Sequence, residues 1–220
     1  MTVTLVFLAC LMGAILWWLF RQSVNVQPWM AQASTQDVHG AVLSRPAAKT
    51  ALGVFLAVVT SVFALFISAY AMRMHFGDWS PVQEPRLLTW NTGLLIVTSG
   101  AMQWTVVAAR RGEINAVRQG LIAGGVLTFA FLAGQLLVWK QLNDAGVFLR
   151  SNPANAFFYL LTAVHGVHLL GGLVAWARTT AKAWRGIEMA KVRLSVELCA
   201  IYWHFLLLVW LVLFALLLST

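Results

Sequence analysis

Six long apolar runs alternate with short polar connections along this chain of 220 residues. They fall at 3–20, 50–71, 88–109, 120–140, 156–177 and 197–219. A hydrocarbon core of about 30 Å is crossed by about 20 apolar residues in helical form. The pattern therefore predicts an all-α, polytopic membrane helix bundle with six transmembrane helices. Lone polar residues such as Gln135 do not break the runs. Pro28, Pro46, Pro81, Pro85 and Pro153 all fall in connections or at helix starts, where proline is tolerated. The longest connection, 21–49, has mixed polarity and suits an interfacial turn or short helix. Little chain remains for a soluble domain.

Composition agrees: 60% of residues are hydrophobic and 10% charged, against about a quarter charged in soluble domains. The net charge of +8 is unevenly placed. The first, third and fifth connections hold Arg21, Arg45 and Lys49, then Arg110, Arg111 and Arg118, then Arg178, Lys182, Arg185, Lys191 and Arg193. The second and fourth hold only Arg73, Arg86, Lys140 and Arg150. Because basic loops stay cytoplasmic, both termini are expected to face the periplasm of a bacterial inner membrane. The charge orients the chain and attracts anionic headgroups; it is no nucleic-acid footprint. Arg21 follows the first run rather than preceding it, so 3–20 reads as a retained helix and not a leader peptide.

Cys10 and Cys199 lie in separate spans without a Cys-x-x-Cys, which offers neither a disulfide framework nor a zinc site. Small residues at Gly93, Gly100, Gly120, Gly124, Gly134, Gly166, Gly171 and Gly172 suit close helix approach. Gln135 is expected to bond to a neighbouring helix, and Asn91, Thr98 and Ser99 to supply further interhelical hydrogen bonds. Trp90, Trp139, Trp176 and Trp203 lie toward span ends, as aromatic belts do, while Trp104 and Trp210 read as deep packing residues.

The candidate chemistry sits in the last two spans. Ionisable groups at membrane depth are costly, yet His165 and His168 stand in one span and His204 in the other. Spaced three apart, His165 and His168 share a helix face. His204 lies about 10 Å from the cytoplasmic end of its span, a depth at which it could meet His168. Metal or haem ligation, proton handling and interhelical hydrogen bonding are the three roles open to these histidines. Glu197, at the mouth of the last span, could pair with Arg193 or with another helix, or serve as a proton-collecting carboxylate, and reads as favoured by the helix macrodipole. No span holds a carboxylate away from its ends, which disfavours a proton pump or ion-coupled transporter.

The motifs FFYLLTAVHGVHLLGG at 157–172, FLAGQLLVW at 131–139, and Glu197 followed by YWHF at 202–205 with Trp210 beyond resemble subunit III of the haem-copper terminal oxidases. The likeness weakens through 86–110, is faint over 50–71 and does not cover 1–49. Three departures stand out: Gly100 follows Thr98 and Ser99 where relatives have an acidic residue, and Val138 and Leu207 occupy two further acidic positions. The resemblance implies a five-helix core over 50–220, preceded by an additional helix and cytoplasmic connection over 1–49. It implies a non-catalytic subunit that supports assembly, lipid binding and proton uptake, beside subunits I and II that hold the haem and copper. No catalytic or metal-binding residue and no cofactor is expected in the chain itself, apart from bound phospholipid. Its expected lipid-binding or interhelical network is Gln135, His165, His168, Glu197, Tyr202, Trp203 and His204. Two other readings stay in view: a b-type haem or metal-binding electron carrier using His165 or His168 with His204, and an accessory subunit of a nitric-oxide reductase.

Overall fold

The computed structural model of the chain describes residues 45–80 and 86–219, together with Trp17. The predicted span 3–20 otherwise lies outside the described residues, as do the connection 21–44, Pro81 and Pro85. Five α-helices follow in order: α1 (Arg45–Arg73), α2 (Arg86–Arg111), α3 (Ile114–Asp144), α4 (Pro153–Trp184) and α5 (Met189–Leu218). All five are long and apolar enough to cross a membrane. The chain divides into two compact units, residues 1–65 and 66–220.

Each helix begins before the apolar run that predicted it, and all but α5 also end beyond it. The predicted connections 110–119 and 178–196 shrink to Gly112–Glu113 and Arg185–Glu188. Hydropathy stops at the first charged residue, whereas helix propensity does not: Ala, Arg, Lys and Leu at these ends are all good helix formers. The termini come instead from backbone signals. Gly112 (φ 80) and Gly186 (φ 67) end α2 and α4 in the left-handed region, where a side chain would strain the backbone. At the start of α4, Asn152 accepts from Ala154 N at 3.0 Å and Pro153 occupies the first turn.

In the first unit, the described part of α1 turns its Thr60 and Ser61 hydroxyls onto its own carbonyls, at Leu56 (2.8 Å) and Ala57 (3.0 Å). Val59 and Phe63 lie on its buried side. In the second unit, α2 packs on α3 and α5, and α4 on α3 and α5, so four antiparallel helices close into a ring. Tyr70, near the end of α1, meets Phe157 of α4 edge-on, with ring centroids 5.6 Å apart. The loop after α1 is pinned by Arg73, whose guanidinium bonds Asp78 and holds that carboxyl below its ordinary range.

The glycines sort into two groups. A Cβ on Gly124 would lie 2.8 Å from Met102 Sδ, and one on Gly172 would lie 2.7 Å from a Tyr202 ring carbon. Gly120 and Gly134 likewise admit Thr105 and Asn91, and Gly125, which the spacing argument passed over, admits Trp176. At Gly93, Gly100, Gly166 and Gly171 an added Cβ would meet nothing within 4 Å among the described residues. Among the described residues, half the predicted close approaches are therefore between helices, and the other half meet no neighbouring helix.

Candidate functional site

The polar side chains of the bundle are concentrated where α5 crosses its neighbours. His204 bonds through Nδ1 to Ser99 of α2 and through Nε2 to Gln103 Oε1, one turn further along α2, at 3.1 Å. Both ring nitrogens are thus engaged between two helices. On the opposite side of α5, Tyr202 Oη donates to the His168 carbonyl of α4 at 2.9 Å, through the gap that Gly172 leaves. His168 itself turns Nδ1 to the Val164 carbonyl at 2.8 Å. The expected meeting of His168 and His204 side chains is replaced by these bonds. Tyr202 and His204 are two residues apart, so they point to different sides of the helix.

His165 is fully buried. Its ring lies 5.0 Å from that of Trp210 and 6.0 Å edge-on from Phe131, measured between centroids. Trp210 Nε1 donates to Thr92 Oγ1 of α2 at 2.9 Å, so the residue predicted to pack also ties two helices. Trp203 proves to be an interior residue rather than part of a belt: only 2% exposed, it donates to Thr128 Oγ1 of α3 at 3.1 Å. Trp139 of α3 repeats the arrangement on Thr162 of α4 at 3.1 Å. In each case the threonine hydroxyl donates its own proton to the carbonyl four residues earlier, at Leu88, Gly124 and Phe158. These threonines were missed in the sequence. The available signal was a hydroxyl and an indole in adjacent spans, at depths that antiparallel pairing makes equal.

Gln135 behaves as expected. Asn91 Nδ2 donates to Gln135 Oε1 at 3.3 Å and to the Phe131 carbonyl at 3.1 Å, joining α2 to α3 inside the bundle. Thr98 does not join helices; its hydroxyl returns to Leu94 of α2. Trp104 is 48% exposed, not packed inside, because the register that buries Ser99 and Met102 turns position 104 outward.

Glu197 uses both of its anticipated partners. Its Oε1 accepts from Arg193 Nε at 3.1 Å within α5 and lies 3.6 Å from Arg110 Nε at the end of α2. Since α5 begins at Met189, Glu197 stands two turns inside the helix, beyond the reach of the macrodipole. Its charge is matched by the arginines instead. Nearby, Arg118 of α3 donates through Nε and a terminal nitrogen to the Ala183 carbonyl, at 3.2 and 3.1 Å, near the end of α4. Its guanidinium lies over the Trp184 ring. Among the described residues, no three His, Cys, Asp or Glu side chains gather as metal ligands would.

The family model for cytochrome c oxidase subunit III matches residues 3–219. The chain belongs to this family. The match extends well beyond the motif likeness, reaching into the region before residue 50. A probable cytochrome c oxidase subunit 3 of Mycobacterium bovis is 30% identical over 156 residues, 70% of this chain and 76% of the relative. One from Nocardia farcinica is 29% identical over 197 residues, 83% of this chain and 92% of the relative. The cytochrome c oxidase subunit 3 of Thermostichus vulcanus is 30% identical over 169 residues, covering 74% and 83%. As a subunit III with five apolar helices, the chain is a multi-pass integral membrane protein, and membership implies a complex with other oxidase subunits. In this subunit III, His204 ties α5 to α2, Tyr202 ties it to α4, and Trp203 ties it to α3.

Proposed function

We propose that this subunit III is a non-catalytic member of a haem-copper terminal oxidase, seated beside subunits I and II that reduce O₂. Its role is to hold phospholipid, to keep the complex assembled and to support proton uptake at the cytoplasmic face. The observation that carries this reading is the engagement of His204: both ring nitrogens bond to α2, which is what a structural tie requires. Among the described helices, the one carboxylate away from the ends is Glu197, and it is held by two arginines. The relatives bear the oxidase name, which favours O₂ reduction over nitric-oxide reduction.

The proposed lipid site is the basic end of the bundle. Arg110 and Arg111 end α2, Arg118 begins α3, and Lys182 and Lys191 flank the turn from α4 to α5. The antiparallel connections bring these to one end, suited to anionic headgroups on the cytoplasmic side. In this reading both termini are external, and 3–20 adds a first transmembrane helix to the five-helix core over 50–220. Gln135, His165, His168, Trp203 and His204 form the interhelical network, with Glu197 and Tyr202 at its borders.

Purification of the tagged chain in mild detergent tests the proposal. Haem-bearing oxidase subunits and phospholipid are expected to accompany it. Recovery of the chain without oxidase subunits would overturn the reading.

A further inference from the structure

Asn91 of α2 and Gln135 of α3 form a half-satisfied amide pair between their helices. Both side chains are buried, at 1% and 5% exposed, and both lie inside the apolar runs of the sequence. The Phe131 carbonyl accepts from Asn91 at 3.1 Å, and of the two amide atoms only the nitrogen can donate to it. The same nitrogen donates to Gln135 at 3.3 Å, so the atom facing it must be the Gln135 oxygen. Turning Asn91 over would set acceptor against acceptor; turning Gln135 over would set donor against donor. The orientation is therefore fixed by chemistry. It leaves Asn91 Oδ1 and Gln135 Nε2 buried and unbonded among the described residues.

Buried amide atoms without partners are costly and rare, and ordered water is the usual remedy. The hydroxyls in the adjoining turns are already committed. Thr92 accepts from Trp210 and gives its proton to Leu88, while Thr162 accepts from Trp139 and gives its proton to Phe158. What remains is one acceptor and one donor on two amides that already touch. We infer that a single buried water is bound here, accepting from Gln135 Nε2 and donating to Asn91 Oδ1. Water gives and takes at one point, as this pair requires. A metal cation would find only one free oxygen, far short of its coordination needs. Gly134 makes the site possible: a Cβ there would stand 2.3 Å from Asn91 Oδ1 and press on the oxygen that the water meets. Phe131, whose carbonyl holds Asn91, sets its ring against His165 and Trp210, so the hydrated link also braces the wall beside the buried motif histidine. The inference stands on these two helices and is independent of the proposed oxidase assembly.

The test is a density map of the full chain, purified with whatever subunits accompany it, at a resolution that shows ordered waters. A peak within hydrogen-bonding distance of both Gln135 Nε2 and Asn91 Oδ1 is expected. Gln135→Met keeps the length of the side chain and removes the donor, so the peak is expected to be lost from the map of that variant. An unsubstituted map without the peak, or with the two amide atoms met by protein groups instead, overturns the inference. A peak that persists unchanged in Gln135→Met overturns it as well. Where that variant does not fold, the unsubstituted map decides alone.

Discussion

Trp203 of α5 donates its indole proton to the hydroxyl of Thr128 on α3, at 3.1 Å, and Thr128 passes its own proton to the carbonyl of Gly124. The same unit recurs between Trp210 and Thr92 and between Trp139 and Thr162. An indole has one proton to place and no acceptor, so its burial demands a partner. A threonine that has turned its proton back onto its helix still offers lone pairs, which makes it a fitting partner in an apolar interior. Three such units link α5 to α3, α5 to α2, and α3 to α4.

Thr128→Val keeps the side-chain shape and removes the acceptor, leaving the Trp203 proton buried and unmet. The loss is expected to be about 1 kcal/mol, given typical interhelical bonds in membranes and the cost of an orphaned donor. Denaturant unfolding in detergent measures it. Because the defect is the stranded proton, adding Trp203→Phe is expected to cost less than the two single changes summed. Strict additivity of the two would contradict the unit.

Gly172→Val is expected to force α4 and α5 apart, because even a Cβ there would stand 2.7 Å from the Tyr202 ring. Overpacking of this kind costs about 1–3 kcal/mol. Gly171→Val, one residue away on the open side, is expected to leave the unfolding midpoint of the isolated chain nearly unchanged. Equal destabilisation by the two substitutions would refute the assigned helix contact.

Glu197→Gln is expected to be mild. Arg110 and Arg193 remain 57% and 42% exposed, so solvent screens the pair and its contribution is at most about 1 kcal/mol. That contribution is expected to shrink further as salt is raised, which unfolding at two ionic strengths would reveal. A large, salt-independent loss would point to a role for Glu197 beyond this ion pair.

How much of this was legible in the sequence depended on the physical signal involved. Apolar length found all five described helices, since the membrane core sets it directly. Their ends were misjudged because Lys and Arg interrupt hydropathy but continue a helix, as Arg118 and Lys182 do. The Gln135–Asn91 bond was expected in kind. The partners of His204 and Tyr202 were not, because rotation about a helix axis leaves little trace in so apolar a chain. Nothing in the residue types distinguished Ser99, which reaches His204, from Thr98, which bonds its own helix. Trp104 and Trp210 looked equivalent for the same reason. Only the register separates an outward indole from one donating to Thr92.

The central claim is that His204 ties α5 to α2 and that the motif histidines serve the helix bundle rather than a haem. An optical spectrum of the tagged chain, stripped of its partners in stronger detergent, tests this most directly. The predicted result is no Soret band in the isolated chain, with the haem signal remaining in the partner fraction. His204→Ala is then expected to lower the unfolding midpoint without changing the spectrum. A Soret band in the isolated chain that disappears with His204→Ala would contradict the claim and identify His204 as a haem ligand.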